Sequence, residues 1–570
     1  MLYCSFVFYP KWQQKDTEAT ISWDASGYYW YLPSLFIYHD LKNQAFKDSI
    51  LHKYAPTPGL DFQQAMHQPD GGYVMKYSSG VALMETPFFL CGHLAAGWLG
   101  YPQDGFSPPY QLAIQIGGVF IALLGLWYFR KFLLLFYSDR VTAVSLLLLV
   151  FGTNYLNYAA IDTAMSHNWL FTVYVLLLWS TCKFYRRPAL KYAIGIGLLT
   201  GLATLTRPTD IIACIIPLLW GMESVSFKAI KERLAFFRDQ YGRLFAAAVC
   251  AGIVIAIQPI YWKTVSGHWL IYSYGDQGFS WKHPHVYRYA FDVWNGWLAY
   301  TPLMILAVIG GLPYLKYGRN KVMVVTFSIV CYYIVSAWDI WWYGGRAMVQ
   351  YYPVLVLSVA CLLQWLEEHR VWKWVLTPFV LLFVYINLWW TYQAHAGKFY
   401  DGSQVTSTYY WRTIGRFSAP ADIAKLKDTD EWFDGEPVSK TLLYSDDLRQ
   451  DTAGVETDAP DTTGKIFLDS FKWNSQPYKW LRASIIAHCF SKEWDVWRMT
   501  EFHVRFKNGN RVVKDRFIRL QRLLNDNETR EIFFDVKIPA EPFDHVETGL
   551  YNKGSDKPAA ADTLRVWGIK

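Results

Sequence analysis

The sequence predicts an α-helical polytopic membrane protein of about eleven transmembrane helices, with a C-terminal β-sandwich-like domain outside the cytosol. Three observations predict it. The 570-residue chain is 53% hydrophobic and only 18% charged, whereas a soluble chain is nearer a quarter charged. Nearly every charge between Arg130 and Lys373 falls in short gaps between apolar runs, and the gaps alternate between rich and poor in Lys and Arg. After Trp390 the long apolar runs stop and short alternating ones begin. The mean hydropathy of +0.08 fits spans diluted by a polar part.

The elements follow in order. Met1 to Pro10 is apolar but shorter than the roughly 20 residues of a span. No basic leader precedes it, so a cleavable signal is not expected. It reads as a shortened first helix, or as the end of one that starts upstream. Ten further spans are expected at 112–129, 141–157, 168–184, 190–205, 208–222, 244–262, 298–315, 321–337, 348–366 and 374–391. The run Val81–Gly100 is ambiguous. As a span it would place Arg130 and Lys131 outside, so it reads as a helix in the outer interface.

Orientation comes from the basic gaps. Arg130, Lys131 and Arg140 occupy one, and Lys183, Arg186, Arg187 and Lys191 the next. Lys228, Lys231, Arg233, Arg238 and Arg243 follow, then Lys316, Arg319 and Lys321, then Arg370 and Lys373. All fall on one side, which the positive-inside rule makes cytoplasmic. The loop 11–111, the gaps 158–167, 263–297 and 338–347, and everything after about 392 are then extracytoplasmic. The net charge of +7 belongs to these flanks and forms no contiguous face for nucleic acid.

The segment 396–464 reads as a loop-rich linker after a membrane domain 1–395. From 465 to 570, runs such as Glu501–Phe506, Arg511–Phe517 and Ile532–Ile538, with the turn Asn508-Gly509-Asn510, predict a small antiparallel β-domain. Six of the eight cysteines lie in apolar runs and none has metal-ligand spacing, so they read as packing residues. No P-loop, HExxH or GxSxG occurs, and no internal repeat is evident. Glycines in the stretch Gly195–Gly201 read as helix packing.

Residues able to carry chemistry gather on the outer side. Asp24, among aromatics in Ser22–Pro33, is partly desolvated and suits a base or a metal ligand; a solvated loop carboxylate is the plain alternative. Lys76 in Lys76-Tyr77-Ser78-Ser79-Gly80 suits a lipid phosphate, or is a snorkelling interfacial lysine. Asp40 and Asp70 are weaker candidates. Asp162 and His167 face the same side and either orient substrate or serve capping and packing. Arg207, at the break made by Pro208, is an ionisable group within the bundle, with Asp210 its expected partner. In Trp338-Asp339-Ile340-Trp341-Trp342-Tyr343-Gly344-Gly345-Arg346, Arg346 offers a fork for phosphate oxygens. Gly344 and Gly345 would let the backbone approach a ligand closely.

At these residues the chain resembles the GT-C superfamily of membrane glycosyltransferases. It is most similar to bacterial relatives of the protein O-mannosyltransferases and of the transferase that adds aminoarabinose to lipid A. The strings that carry the resemblance are Trp23–Tyr29, Lys76–Gly80, Met165-Ser166-His167, Leu205–Thr209 and Trp342–Arg346, within residues 1–395. Serines stand where such families carry a proline pair, and the acidic pair of the first loop is reduced to Asp24. The resemblance implies an inverting transfer of a sugar from a polyprenyl-phosphate donor to a hydroxyl on a glycan, lipid or protein. The expected place is the outer face of a bacterial cytoplasmic membrane, among its lipids, with no nucleic-acid partner. It implies Asp24 as base. Lys76, His167, Arg207, Arg346, Asp162, Gly344 and Gly345 would bind donor phosphate or substrate. A divalent ion on Asp24, magnesium or manganese, is the one cofactor left open. Two other readings stand beside it: a lipid-linked sugar flippase or transporter, and a non-catalytic membrane scaffold that binds glycan. Polar residues near the bilayer midplane and internal repeats would favour transport; polar groups collected at one face favour an enzyme.

Overall fold

Pro208 and Pro302 open breaks between helices of this chain, and Gly100 and Gly267 close two others in left-handed turns. A computed structural model describes residues 1–58, 62–69, 71–338, 341–397, 399–420, 422–447, 465–474, 477–555, 557 and 559–570. Asp70, Asp339 and Ile340 lie outside the described residues, as do 448–464 of the expected linker. The chain divides into two units, Met1–Tyr400 and Asp401–Lys570.

The first unit is helical. Four of its helices are long and apolar enough to cross a membrane: Pro108–Leu133, Tyr241–Ser266, Arg346–Glu368 and Arg370–His395. The expected eleven spans are therefore not supported. Breaks cut the other apolar runs into pieces. The run at 141–157 splits into Asp139–Gly152 and Tyr155–Ala160. Pro208 turns 208–222 into a 3-10 segment, Pro208–Cys214, and a short helix, Ile215–Leu219. The run at 298–315 becomes Trp297–Tyr300, Pro302–Met304, Ile305–Ile309 and Gly311–Tyr317. The N-terminal run gives only Cys4–Phe8. Leu190–Thr206 and Lys321–Ala337 are apolar but 17 residues each. Ser166–Arg186 has the length, but it carries His167, Asn168, Thr172 and Thr181 and is buried along most of its course.

The four long helices differ in what covers them. Arg346–Glu368 is 83% buried within the protein, whereas Tyr241–Ser266 is 11% and Arg370–His395 6% buried. The last two thus turn apolar side chains such as Phe245 and Trp374 outward. Tyr241–Ser266 packs closely on Leu190–Thr206 because Gly197 and Gly201 have no side chains: a methyl group on Gly197 would lie 2.1 Å from the carbonyl oxygen of Ala247. The helix Gly80–Leu99, expected at the outer interface, starts where Gly80 abuts the backbone of Thr206 and ends at the left-handed Gly100. A two-stranded hairpin, β1 (Ala65–His67) and β2 (Tyr73–Met75), leads into it.

The second unit is a β-sheet region. One antiparallel sheet has the order β3 (Lys440–Asp447), β10 (Ala559–Ile569), β5 (Trp480–Cys489), β8 (Glu528–Lys537). The other has the order β4 (Lys465–Lys472), β9 (His545–Tyr551), β6 (Glu501–Asn508), β7 (Arg511–Arg519). Alternate residues of both, among them Leu481, Ile485, Phe534, Phe502, Val504, Val546 and Leu550, form one apolar core. Part of the segment read as linker folds with this unit: β3 pairs with β10, and Val405, Tyr409, Ile423 and Leu426 make a small cluster.

Gly197→Val forces the helices Leu190–Thr206 and Tyr241–Ser266 apart. The substitution is expected to destabilise the protein by about 2 kcal/mol, seen as a lower thermal unfolding midpoint in detergent. An unchanged midpoint would mean that this contact does not hold the two helices together.

Candidate active site

The site begins with a bent backbone. Trp23 has φ +47, a left-handed conformation that costs a non-glycine residue about 1 kcal/mol or more. Hydrogen bonds hold it: its N–H donates to the Pro56 carbonyl at 2.8 Å, and its own carbonyl accepts from Gln64 Nε2 at 2.9 Å and from the Ser26 hydroxyl at 2.7 Å. The bend starts the helix Trp23–Tyr29, with Asp24 in its first turn. Gly27 in that helix lets Gln64 and Tyr77 close against it, since a methyl group there would lie within 2.4–2.5 Å of both side chains.

Asp24 is engaged on both oxygens. Oδ2 accepts from Arg346 Nη2 at 2.6 Å and Oδ1 from the Tyr77 hydroxyl at 2.7 Å. Burial by itself would raise its pKa; the Arg346 guanidinium, the Tyr77 hydroxyl and Lys76 outweigh burial and hold it below the usual carboxylate range. The Lys76 ammonium lies 5.6 Å from the ring centres of Tyr77 and Tyr274. Burial lowers its pKa, against the opposing pull of Asp24. The loop is fixed from behind: the Tyr261 hydroxyl accepts from the Met75 N–H, and Gln258 Oε1 accepts from the Ser79 N–H, both at 2.9 Å.

Arg346 is aimed by the turn before it. Gly344 and Gly345 have φ of +64 and +59. The Gly344 carbonyl accepts from Asn154 Nδ2, the Gly345 carbonyl from the Tyr289 hydroxyl, and the Gly345 N–H donates to Asn295, each at 2.9 Å. A methyl group on Gly345 would meet Trp297 at 2.8 Å. Protein groups crowd both glycines, whose positive φ makes the tight left-handed turn that presents Arg346, and Gly345 also borders a cavity beside it.

Arg207 follows the last residue of Leu190–Thr206 with extended backbone. Its Nη1 lies 3.3 and 3.4 Å from the two ring nitrogens of His167. His167 Nδ1 is 2.9 Å from Gln350 Oε1, and Gln350 Nε2 donates to both oxygens of Asp210 at 2.8 and 2.9 Å. The Tyr174 hydroxyl also donates to Asp210 at 2.6 Å. The direct Arg207–Asp210 pair expected from sequence does not form; Gln350 and His167 stand between them. Asp162 accepts from Lys11 Nζ and from Asn157 Nδ2, both at 2.8 Å. Burial would raise its pKa, but Lys11, His395 and these bonds bring it down to about 2. Asp40 closes a local turn by accepting from the N–H groups of Asn43 and Ala45, and it lines no cavity described here.

Two cavities meet at this place. One, of about 480 Å³, is lined by Asp24, Lys76, Tyr77, Asp162, Trp342 and Tyr343 among others. The second, of about 300 Å³, is walled mainly by apolar and aromatic residues, including Trp262, Leu270, Ile271, Ile334, Val335 and Trp341, with His167 and Gln350 at its edge. Arg207, Tyr274, Trp338 and Arg346 line both. The polar cavity thus carries Lys11, Lys76, Arg207 and Arg346 against Glu18, Asp24 and Asp162; Lys11 is paired to Asp162 and Arg346 to Asp24, and Lys76 and Arg207 make no ion pair among the described residues. That arrangement attracts an anion to the junction.

Both oxygens of Asp24 are taken by Arg346 and the Tyr77 hydroxyl, so a divalent ion on Asp24 would have to displace them. Sequence reasoning singled out Asp24, Lys76, His167, Arg207 and Arg346, which the structure brings together. It missed the roles of Tyr77, Tyr274 and Gln350, and it missed Lys11. Only Gln350 gives a positional signal, lying one helical turn after Arg346. No family model matches the chain, and no curated protein matches it.

Because Asp162 titrates near 2 when folded and near 3.8 when unfolded, its share of stability is present above about pH 4 and is lost as the pH falls towards 2. Asp162→Asn is expected to remove about 2 kcal/mol at neutral pH, and its stability should fall less than wild type between pH 4 and 2. Parallel pH profiles for the two proteins would show that the Lys11–Asp162 pair contributes nothing.

Proposed function

We propose that the unit Met1–Tyr400 is a membrane glycosyltransferase of the GT-C type that moves a sugar from a polyprenyl-phosphate donor to an acceptor hydroxyl. The observation that supports it is the junction of an apolar and a polar cavity across a wall of cations. The donor has the same three parts: an apolar chain, a charged phosphate and a polar sugar. The chain suits the smaller cavity, the sugar and acceptor the larger, and the phosphate the wall between them at Arg346 and Arg207, with Lys76 on the side of the larger cavity. The alternation of basic gaps in the sequence supports a place at the outer face of the cytoplasmic membrane.

A chemical sequence follows. Without donor, Arg346 is paired to Asp24. A donor phosphate competes for the guanidinium, and the Asp24 carboxylate is released. Losing Arg346 moves its pKa back towards an ordinary carboxylate, which makes it a better base. The acceptor hydroxyl attacks the anomeric carbon from the face opposite the phosphate, and the configuration inverts. The acceptor O–C bond forms while the bond from anomeric carbon to phosphate oxygen breaks. The electron pair leaves with the phosphate, the cations stabilise the added charge, and the hydroxyl proton goes to Asp24. His167 and Gln350 hold Arg207 in place, and the aromatic wall of Trp342 and Tyr343 faces the sugar. A flippase would move the lipid without cleaving this bond, so transfer is the discriminating measurement.

In nanodiscs supplied with a labelled polyprenyl-phosphate sugar, Asp24→Asn is expected to abolish both transfer and slow hydrolysis while the protein still purifies as a folded monodisperse sample. Full activity would remove Asp24 from the chemistry. Arg346→Lys keeps the charge but loses the fork, so kcat/KM should fall more than about tenfold, or about 1.4 kcal/mol. Wild-type kinetics in that variant would rule out a phosphate clamp at Arg346.

A further inference from the structure

We propose that a second anion site lies at the far end of the helical unit and seats the headgroup of an anionic phospholipid. A cavity of about 630 Å³ opens there, lined by residues of four of the basic gaps, three of which contribute an arginine. Its central cation is the half-buried Arg233. The guanidinium stacks on Tyr185, 4.7 Å from the ring centre, and its Nη2 donates to the Trp220 carbonyl. Nε and Nη1 are enclosed and find no acceptor of good geometry among the described residues, the Tyr185 hydroxyl being their nearest polar neighbour. Arginine has five donors in a fixed fork, and a small shift of this side chain would offer the unsatisfied ones to an acceptor in the cavity. Arg186 and Arg319 stand exposed at the same cavity and make no ion pair among the described residues. Of the two acidic residues present, Glu223 already accepts the N–H groups of Asn320 and Lys321 at 2.8 and 3.5 Å, and Glu232 is exposed.

Position favours a lipid over a free anion. His167 at one end of Ser166–Arg186 contacts Arg207 in the candidate active site, and Arg186 at the other end lines this cavity. At a rise of about 1.5 Å per residue the two are roughly 28 Å apart, close to the hydrocarbon thickness of a bilayer. The helix Phe227–Asp239 turns Ala229, Glu232, Arg233 and Phe236 to the cavity. Elsewhere on its surface Phe227 and Leu234 are 83% and 61% exposed, and Lys228, Lys231 and Arg238 are exposed too. Apolar and basic stripes side by side suit a helix lying in a headgroup layer. It leads directly into Tyr241–Ser266, one of the four helices able to cross a membrane.

The proposal does not rest on glycosyl transfer and can be tested apart from it. Detergent-purified full-length protein is titrated with short-chain phosphatidylglycerol, short-chain phosphatidylcholine or glycerol phosphate, and the thermal unfolding midpoint is followed. Phosphatidylglycerol is expected to give a saturable rise, with the other two at least about tenfold weaker. Arg233→Gln should weaken the phosphatidylglycerol response about tenfold. Because Arg233 also packs, Arg319→Gln at the exposed mouth is the second variant and should weaken it measurably. Lys231→Gln, on the same helix but outside the cavity, should respond as wild type. Wild-type titration of both arginine variants, equal weakening by Lys231→Gln, or no saturable rise would overturn the site. A response to glycerol phosphate equal to that to phosphatidylglycerol would overturn the lipid as its occupant.

Discussion

The ion pair between Asp24 and Arg346 is the constraint around which the helical unit is arranged. It joins residues 322 positions apart in sequence. Each charge is only partly exposed, and removing either partner would leave the other poorly compensated. The surrounding local structure serves this contact. Trp23 accepts an unfavourable backbone, Gly344 and Gly345 make a tight left-handed turn, and Gly27 clears space for Tyr77. Each of these departures from ordinary preference is held by hydrogen bonds or close packing from another segment, as expected where strain is retained for a purpose.

Behind the pair lies a second layer that orders the cations. Arg207 would be a lone charge inside the bundle were it not for the run through His167 and Gln350 to Asp210. That run spaces the negative charge of Asp210 away from Arg207. Direct pairing would neutralise the guanidinium, whereas pairing through two neutral side chains orients it and leaves its donors available. The same logic applies to Lys76, which faces aromatic rings and has no carboxylate bonded to it among the described residues.

Much of the site was legible because charges stand out in apolar sequence. Asp24, Lys76, Arg207 and Arg346 are ionisable residues where few occur, and the alternation of basic gaps put them on one side. The contributions of Tyr77, Tyr274 and Gln350 were not legible, since tyrosine is abundant in this chain and a glutamine beside a span carries no distinctive pattern. Asp162 was legible as a polar group at the right place, but not as the partner of Lys11, which depends on where the N-terminal segment folds back. The span count lacks support for a physical reason. Average hydropathy measures transfer from water and does not separate a single lipid-facing helix from short apolar pieces packed inside protein. Pro208, Pro302 and Gly152 mark the breaks, but each is also compatible with a kink in a continuous helix. The alternating runs of the C-terminal unit were plain because a period of two survives averaging.

The helix that begins at Arg346 is enclosed by protein on most of its surface. Asp24 rides on a short helix whose residues Ala25 to Tyr29 are buried as well. Both halves of the latch are therefore rooted in packed protein, and opening the contact falls to the two side chains rather than to either backbone.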